Sequence, residues 1–234
     1  MQFIRSLLFS LYFYLSVIIF TVFFVLVSPF INIKKRYSLT NIFISTLLNA
    51  LRLLCGINWN VKGTITNKKP VVVASNHQGL WESFYLQTLV TPLTTIIKRE
   101  LVFIPFFGWA LYLLNPIKIN RSKKIQSAKK VILKGSLKIK NGFSILVFPE
   151  GTRKKPGKTI GRFARSAADL AIKNRVDLIP VYHNSGFFWK NKEFIKNPGT
   201  VQVVIGEPIQ GNSATEMTNN LIKWMKNEAS MSTN

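Results

Sequence analysis

The chain is poor in three kinds of residue. It has one cysteine, Cys55, two histidines, His77 and His183, and 9 Asp+Glu in 234 residues. A single thiol cannot build an intramolecular disulfide framework, which fits a reducing compartment. Two histidines with no H-E-x-x-H string argue against a zinc enzyme, and no metal site is expected. There is no G-x-S-x-G string, which speaks against a common serine esterase. Internal repeats and low-complexity linkers are absent too. The scarcity of acids stands against 32 Lys+Arg, for a net charge of +23. Such a field attracts nucleic acid, anionic lipid headgroups or acidic proteins alike. Part of it is compositional, because the chain is rich in Lys, Ile and Asn. Charge alone therefore does not choose a partner.

The amino-terminal region does choose. Residues 6–28 carry no charge and are dominated by Leu, Phe, Val, Ile and Tyr. That exceeds the roughly 20 residues needed to cross a bilayer core. Arg5 precedes the run, and Lys34, Lys35 and Arg36 come after it. A secretory signal would have a shorter apolar run and a small-residue cleavage site, so a retained anchor is expected. The basic triplet favours a cytoplasmic location for the chain beyond it. Over residues 39–54, Leu39, Ile42, Phe43, Leu47, Leu51 and Leu54 recur at helical steps, with Asn41, Ser45, Asn49 and Arg52 opposite. An amphipathic helix lying in the lipid surface is expected there. The expected domains are thus an anchor, 1–55, and a second unit, 56–234. Anchor and charge together point to an anionic phospholipid membrane, and no nucleic-acid partner is expected.

Beyond Gly56, short β-branched runs alternate with helical stretches. Strands are expected at 71–75, 144–148, 178–182 and 201–205, and at 94–97, with helices at 81–90, 123–140 and 162–173. A last helix is expected from Ser213, where Glu216 three residues on completes a capping-box pattern. Alternation of this kind predicts an α/β domain with a mixed, mostly parallel sheet flanked by helices.

Four strings carry chemistry. In NHQGLWE, His77 comes after a buried strand and Glu82 five positions later. If a helix starts near Gly79 or Leu80, Glu82 falls in its first turn and the loop can bring His77 beside it. An alcohol becomes a good nucleophile when a base takes its proton. Imidazole, with a reference pKa of about 6.5, suits that work, and a carboxylate on its far nitrogen fixes the tautomer. A structural histidine beside a surface acid has the same spacing. In FPEGTR, residues 148–153, Gly151 leaves backbone N–H groups approachable, Thr152 offers a hydroxyl and Arg153 a fork for phosphate. Alone, this is also an ordinary strand-to-loop turn. In KRELVFIPFFGW, residues 98–109, Lys98 and Arg99 stand beside an apolar run, which suits an amphiphile with a phosphate head. In LIPVYHNSG, residues 178–186, Pro180 suggests an edge or a bulge, and His183 has no neighbouring acid and reads as structural.

In this order and spacing the strings resemble the glycerolipid acyltransferases of the 1-acylglycerol-3-phosphate acyltransferase type, over residues 71–206. The family pattern N-H-x-x-x-x-D is matched by Asn76, His77 and Glu82, with Glu in place of Asp. K-x-E-L-x-x-x-P-x-x-G is matched by Lys98, Glu100, Leu101, Pro105 and Gly108, while the family's I-D-R ending is Ile119, Asn120 and Arg121 here. F-P-E-G-T-R is complete, and the fourth pattern is met by Ile179, Pro180 and Val181. The resemblance implies an acyl carrier protein or coenzyme A thioester as cosubstrate, no other cofactor, and a lysophospholipid acceptor, by default lysophosphatidic acid. It implies His77 as base and Glu82 as its orienter. Lys98 and Arg153 would bind the acceptor phosphate, with Glu150, Gly151 and Thr152 shaping the loop and Arg121 a weaker contributor. It also implies a bacterial inner-membrane location with the catalytic domain on the cytoplasmic side.

Overall fold

The computed structural model describes residues 1–66, 69–120, 122–157 and 160–231. Two long helices come first, α1 (Gln2–Val27) and α2 (Ile33–Cys55). Pro29 lies in the short turn that ends α1. Asn32 then starts α2 by accepting a hydrogen bond from the Lys35 N–H, 2.9 Å, the usual use of an amide side chain at a helix start. Gly56, at φ 69°, closes α2 in the left-handed conformation that glycine adopts without strain. The rest is β1 (Ile57–Lys62), β2 (Val72–Ser75), α3 (Trp81–Tyr85), β3 (Leu93–Lys98), α4 (Phe107–Leu113), β4 (Ile117–Ile119), α5 (Lys124–Lys140), β5 (Ser144–Val147), α6 (Ser166–Asn174), β6 (Leu178–His183), β7 (Gly199–Ile205) and α7 (Ala214–Met231).

The strands form one sheet in the order β1-β7-β6-β2-β5-β3-β4. Every neighbouring pair is parallel except β6 with β7. A sheet covered on both faces needs strands that are apolar at every position, and β2, β5 and β6 are buried throughout. Alternate side chains go to opposite layers. Val73, Leu146, Ile179 and Val181 face a layer made with α2, α3 and the first half of α1. Val72, Ala74, Ile145, Val147 and Leu178 face α5, α6 and α7. The expected α/β architecture is thus present, as are the expected strands. The helix expected over 81–90 is α for only five residues and then tightens to a 3-10 turn, and the one expected from 162 starts at Ser166. At α7, Ser213 Oγ accepts from the Glu216 N–H, while Glu216 reaches back to the Asn212 N–H instead of that of Ser213.

The amino-terminal helices do more than trail into lipid. Leu47 and Leu51 of the apolar stripe on α2, with Ile44 and Leu48 beside it, pack into the core under the sheet; only Ile42 of the stripe is well exposed. The stripe expected in the lipid surface is therefore largely core packing. Helix α1 lies along the domain. Phe9 meets Trp189 edge-on at 5.4 Å, Phe13 meets Phe84 at 5.8 Å, and Thr21 Oγ1 donates to the Phe106 carbonyl at 3.3 Å. The Lys196 ammonium, on the loop before β7, donates to Ser10 Oγ at 3.1 Å. The far side of α1 is bare, with Leu11, Leu15, Ile19 and Leu26 each 60% or more exposed. Both helices are long and apolar enough to cross a membrane, and the pair points to membrane association.

Because Phe9 is 1% exposed, docking of α1 contributes to the stability of the domain itself. Phe9→Ala is expected to cost about 3–5 kcal/mol, the usual range for emptying a buried phenylalanine site. Thermal melting in detergent checks this: an unchanged Tm would mean that α1 is a tether independent of the domain.

Candidate active site

Parallel strands deliver their carboxyl ends to one edge, and a crevice outside that edge is the usual place for a ligand in such sheets. Here the edge collects all four sequence strings. β2 ends at Ser75 and leads into Asn76 and His77; β5 leads into the 148–153 loop; β6 ends at His183. β3 ends at Lys98, which is still paired with Ile119 of β4, on a strand next to β5.

Asn76 ties two of these ends together. Its amide donates to the His183 carbonyl at 2.8 Å and accepts from the His183 N–H at 3.0 Å. The chain then turns at Gly79, where a Cβ would lie 2.5 Å from the Trp189 carbonyl oxygen, so only glycine fits. α3 begins at Trp81, which puts Glu82 in its first turn. The His77 Nδ1 lies 2.9 Å from Glu82 Oε1, and the Gln78 and Gly79 N–H groups donate to the same oxygen at 2.7 and 2.6 Å. Ser185 Oγ donates to the other oxygen, Oε2, at 2.8 Å. Glu82 is fully buried, and burial alone would raise its pKa; the neighbouring His183 and His77 rings and the hydrogen bonds from His77 and Gly79 outweigh this and hold it below the usual carboxylate range. With an ionised partner at Nδ1, His77 carries its proton there and presents Nε2 as an acceptor. The ring is stacked on Phe148 at 4.1 Å, which fixes its plane.

The 148–153 loop is fastened to the same turn. The Lys154 N–H donates to the His77 carbonyl at 2.8 Å, so Arg153 is one residue from a direct backbone bond to the histidine segment. Gly151 sits at φ 69° with nothing crowding its Cα, and Thr152 is exposed. The Arg153 guanidinium is exposed and donates to Asn191 Oδ1 at 3.3 Å. Glu150, expected only to shape the loop, instead turns inward. It accepts from the His77 N–H, and its Oε2 is buried with no hydrogen-bond partner among the described residues. Burial raises its pKa to about 7; the His77 N–H and Lys154 pull it down, and Glu82 pushes it up. Lys98 is exposed at the same edge. Arg121 lies outside the described residues. No group of three metal-binding side chains is found among the described residues.

One participant escaped the sequence reading: Ser185, 103 residues from Glu82. His183, read as structural, is fully buried and bonded to Asn76 and Ser185. The only clue is the polar run HNSG straight after a buried strand.

A buried, oriented imidazole with an open nitrogen, fastened to a loop that carries an arginine, can take a proton from a substrate. The family model described as Acyltransferase matches residues 57–184, from β1 to the residue after β6. The chain belongs to that family and is an acyltransferase. Among its relatives, the 1-acyl-sn-glycerol-3-phosphate acyltransferase of Pseudomonas aeruginosa is 37% identical over 208 residues, 88% of this chain and 80% of that protein. The Saccharomyces cerevisiae protein of the same name is 31% identical over 173 residues, 72% of this chain and 57% of its own length. The crystal structure of the 1-acyl-sn-glycerophosphate acyltransferase of Thermotoga maritima has the same fold, with a TM-score of 0.79 at 24% identity over 100% of this chain and 98% of that one.

Glu150 makes stability depend on pH. Its pKa rises from 4.5 to about 7 on folding, so the folded chain holds the proton more tightly than the unfolded one. The advantage is complete below about 4.5 and is lost as pH climbs through 7. Glu150→Gln removes the ionisation. The variant is expected to be more stable than the parent by about 1–3 kcal/mol at pH 8, with the difference fading towards pH 5. Melting curves across that range check it; a gain independent of pH would contradict the assignment.

Proposed function

We propose that the chain moves a fatty acyl group from an acyl thioester, on acyl carrier protein or coenzyme A, to the free hydroxyl of lysophosphatidic acid, giving phosphatidic acid in phospholipid synthesis. The single observation that carries this reading is the His77–Glu82 pair, buried at 2.9 Å and fastened to the arginine-bearing 148–153 loop. The acceptor phosphate is held by Lys98 and Arg153, with the Gly151 and Thr152 backbone and the Thr152 hydroxyl close by. Arg121 is a further candidate from its position after β4. The acceptor's free hydroxyl then lies against His77 Nε2. As the hydroxyl oxygen attacks the thioester carbon, Nε2 takes the proton, and the imidazolium is stabilised by Glu82. The tetrahedral centre collapses, the C–S bond breaks, and the proton passes from His77 to the departing thiolate. No other cofactor is required by this sequence of steps.

Membrane attachment is proposed to be one-sided. A helix docked on protein from Ser6 to Thr21 cannot also be surrounded by lipid, so α1 lies with its bare face in one leaflet. The basic residues Lys34, Lys35 and Arg36 then sit at anionic headgroups. The location proposed is the bacterial inner membrane, with the domain on the cytoplasmic side. Acceptors other than lysophosphatidic acid are a second reading, favoured by Glu82 and Asn120, which depart from the family pattern.

Purified enzyme in mixed micelles, crossed with both donors and several lysophospholipids, tests the reading. Transfer is expected with lysophosphatidic acid. His77→Ala is expected to lower kcat by about 10²–10⁴, the range for general-base loss. Arg153→Ala is expected to raise the acceptor KM with a smaller effect on kcat. Near-normal turnover in the His77 variant would end the general-base assignment, and an unchanged acceptor KM would end the phosphate role of Arg153.

A further inference from the structure

Glu82 has two oxygens with unequal company. Oε1 takes the His77 ring and the Gln78 and Gly79 N–H groups. Oε2 takes one side-chain hydroxyl, that of Ser185. The two oxygens are gripped from opposite sides, by the turn after β2 and by the segment after β6. Since α3 is only five residues long, its own backbone does little to fix where a flexible glutamate ends.

The Ser185 hydroxyl proton has two acceptors to choose from, because His183 Nδ1 is 3.1 Å away. His183 Nε2 lies 2.9 Å from the Asn76 carbonyl, which only accepts, so Nε2 carries a proton. Burial disfavours a second proton on this ring. Nδ1 is therefore an acceptor, and it receives the Ser185 N–H at 3.3 Å. That frees the Ser185 hydroxyl for the carboxylate, the stronger acceptor of the two. His183 orients Ser185 through the backbone, and Asn76 orients His183.

We infer that Ser185 is a positioning residue for the transfer, holding Glu82 Oε2 so that Oε1 stays on His77 Nδ1. The inference rests on the general-base reading of His77. It accounts for a glutamate at this position. The longer acid reaches both the turn after β2 and Ser185, and an aspartate, one methylene shorter, has less reach for holding both.

Removing the hydroxyl withdraws one hydrogen bond from a buried carboxylate. Oε1 is then free to leave His77 Nδ1, and the imidazolium that forms during transfer loses part of its counter-charge. The other titratable groups near the pair are Glu150 and Lys154 from the loop after β5 and His183 from β6, and none of them changes in the variant.

The test uses the full-length enzyme in mixed micelles with a donor and acceptor it turns over. Ser185→Ala is expected to lower kcat about tenfold or more, with acceptor KM unchanged, and to move the acid limb of the kcat/KM–pH profile to lower pH. Glu82→Asp should also be impaired, and the double variant should be no worse than the poorer single one, because both remove the same link. A Ser185→Ala enzyme with parental kcat and acid limb overturns the inference, as do losses that multiply in the double variant. If Ser185→Ala does not fold, Ser185→Cys, of similar volume and weaker donation, should show the same downward shift of the acid limb; a parental limb there overturns it equally. His77→Ala run in parallel separates the two failures. An inactive His77 variant beside a parental Ser185 variant removes only the positioning role, whereas an active His77 variant removes the reading beneath it.

Discussion

A carboxylate removed from water stays ionised only where donors surround it. Glu82 has its donors from two directions: the ring of His77 and two backbone N–H groups from its own turn, and the Ser185 hydroxyl from beyond β6. The fold is what brings them there. β2 lies between β5 and β6, both parallel to it, so three chain segments leave the sheet together on one side. Asn76 stitches the β2 end to the β6 end, and the Lys154 N–H stitches the β5 loop to the His77 carbonyl. Without the buried pair, the turn after β2 would have no reason to hold its glycine or its tight approach to Trp189.

Much of this was legible in the sequence because it depends on local pattern. The short apolar run 145–148, bounded by Gly142 and Pro149, reads as a strand covered on both faces. The His77–Glu82 contact depends on a helix starting at Trp81, a matter of five residues. β1 was legible and passed over, since Ile57, Trp59 and Val61 alternate with Asn58 and Asn60 as in a half-buried strand, whereas β4 has only three residues and carries no period. α4 was hidden behind Pro105 and Gly108. Ser185 could not be found locally, since only tertiary folding closes 103 residues of separation. Glu150 looked like a loop residue, and its inward turn depends on a hydrogen bond from the distant His77 N–H.

The amino-terminal pair shows a different limit of sequence reading. An apolar, aromatic-rich helix has the same composition whether its neighbours are lipid tails or a protein core. Phe9, Phe13 and Thr21 mark the face of α1 that found protein, and Leu11, Leu15 and Ile19 the face that did not. Joining anchor and domain in one packed body suits chemistry on an amphiphile. In the proposed transfer the acceptor keeps its acyl tail at the bilayer while its headgroup reaches the carboxyl edge of the sheet.

The central claim is that the buried glutamate sets which nitrogen of His77 is free. The ¹⁵N chemical shifts of the His77 imidazole in the detergent-solubilised enzyme read this directly. They are predicted to show a neutral ring protonated at Nδ1 with an unprotonated Nε2 facing the site. A neutral ring protonated at Nε2 would contradict it.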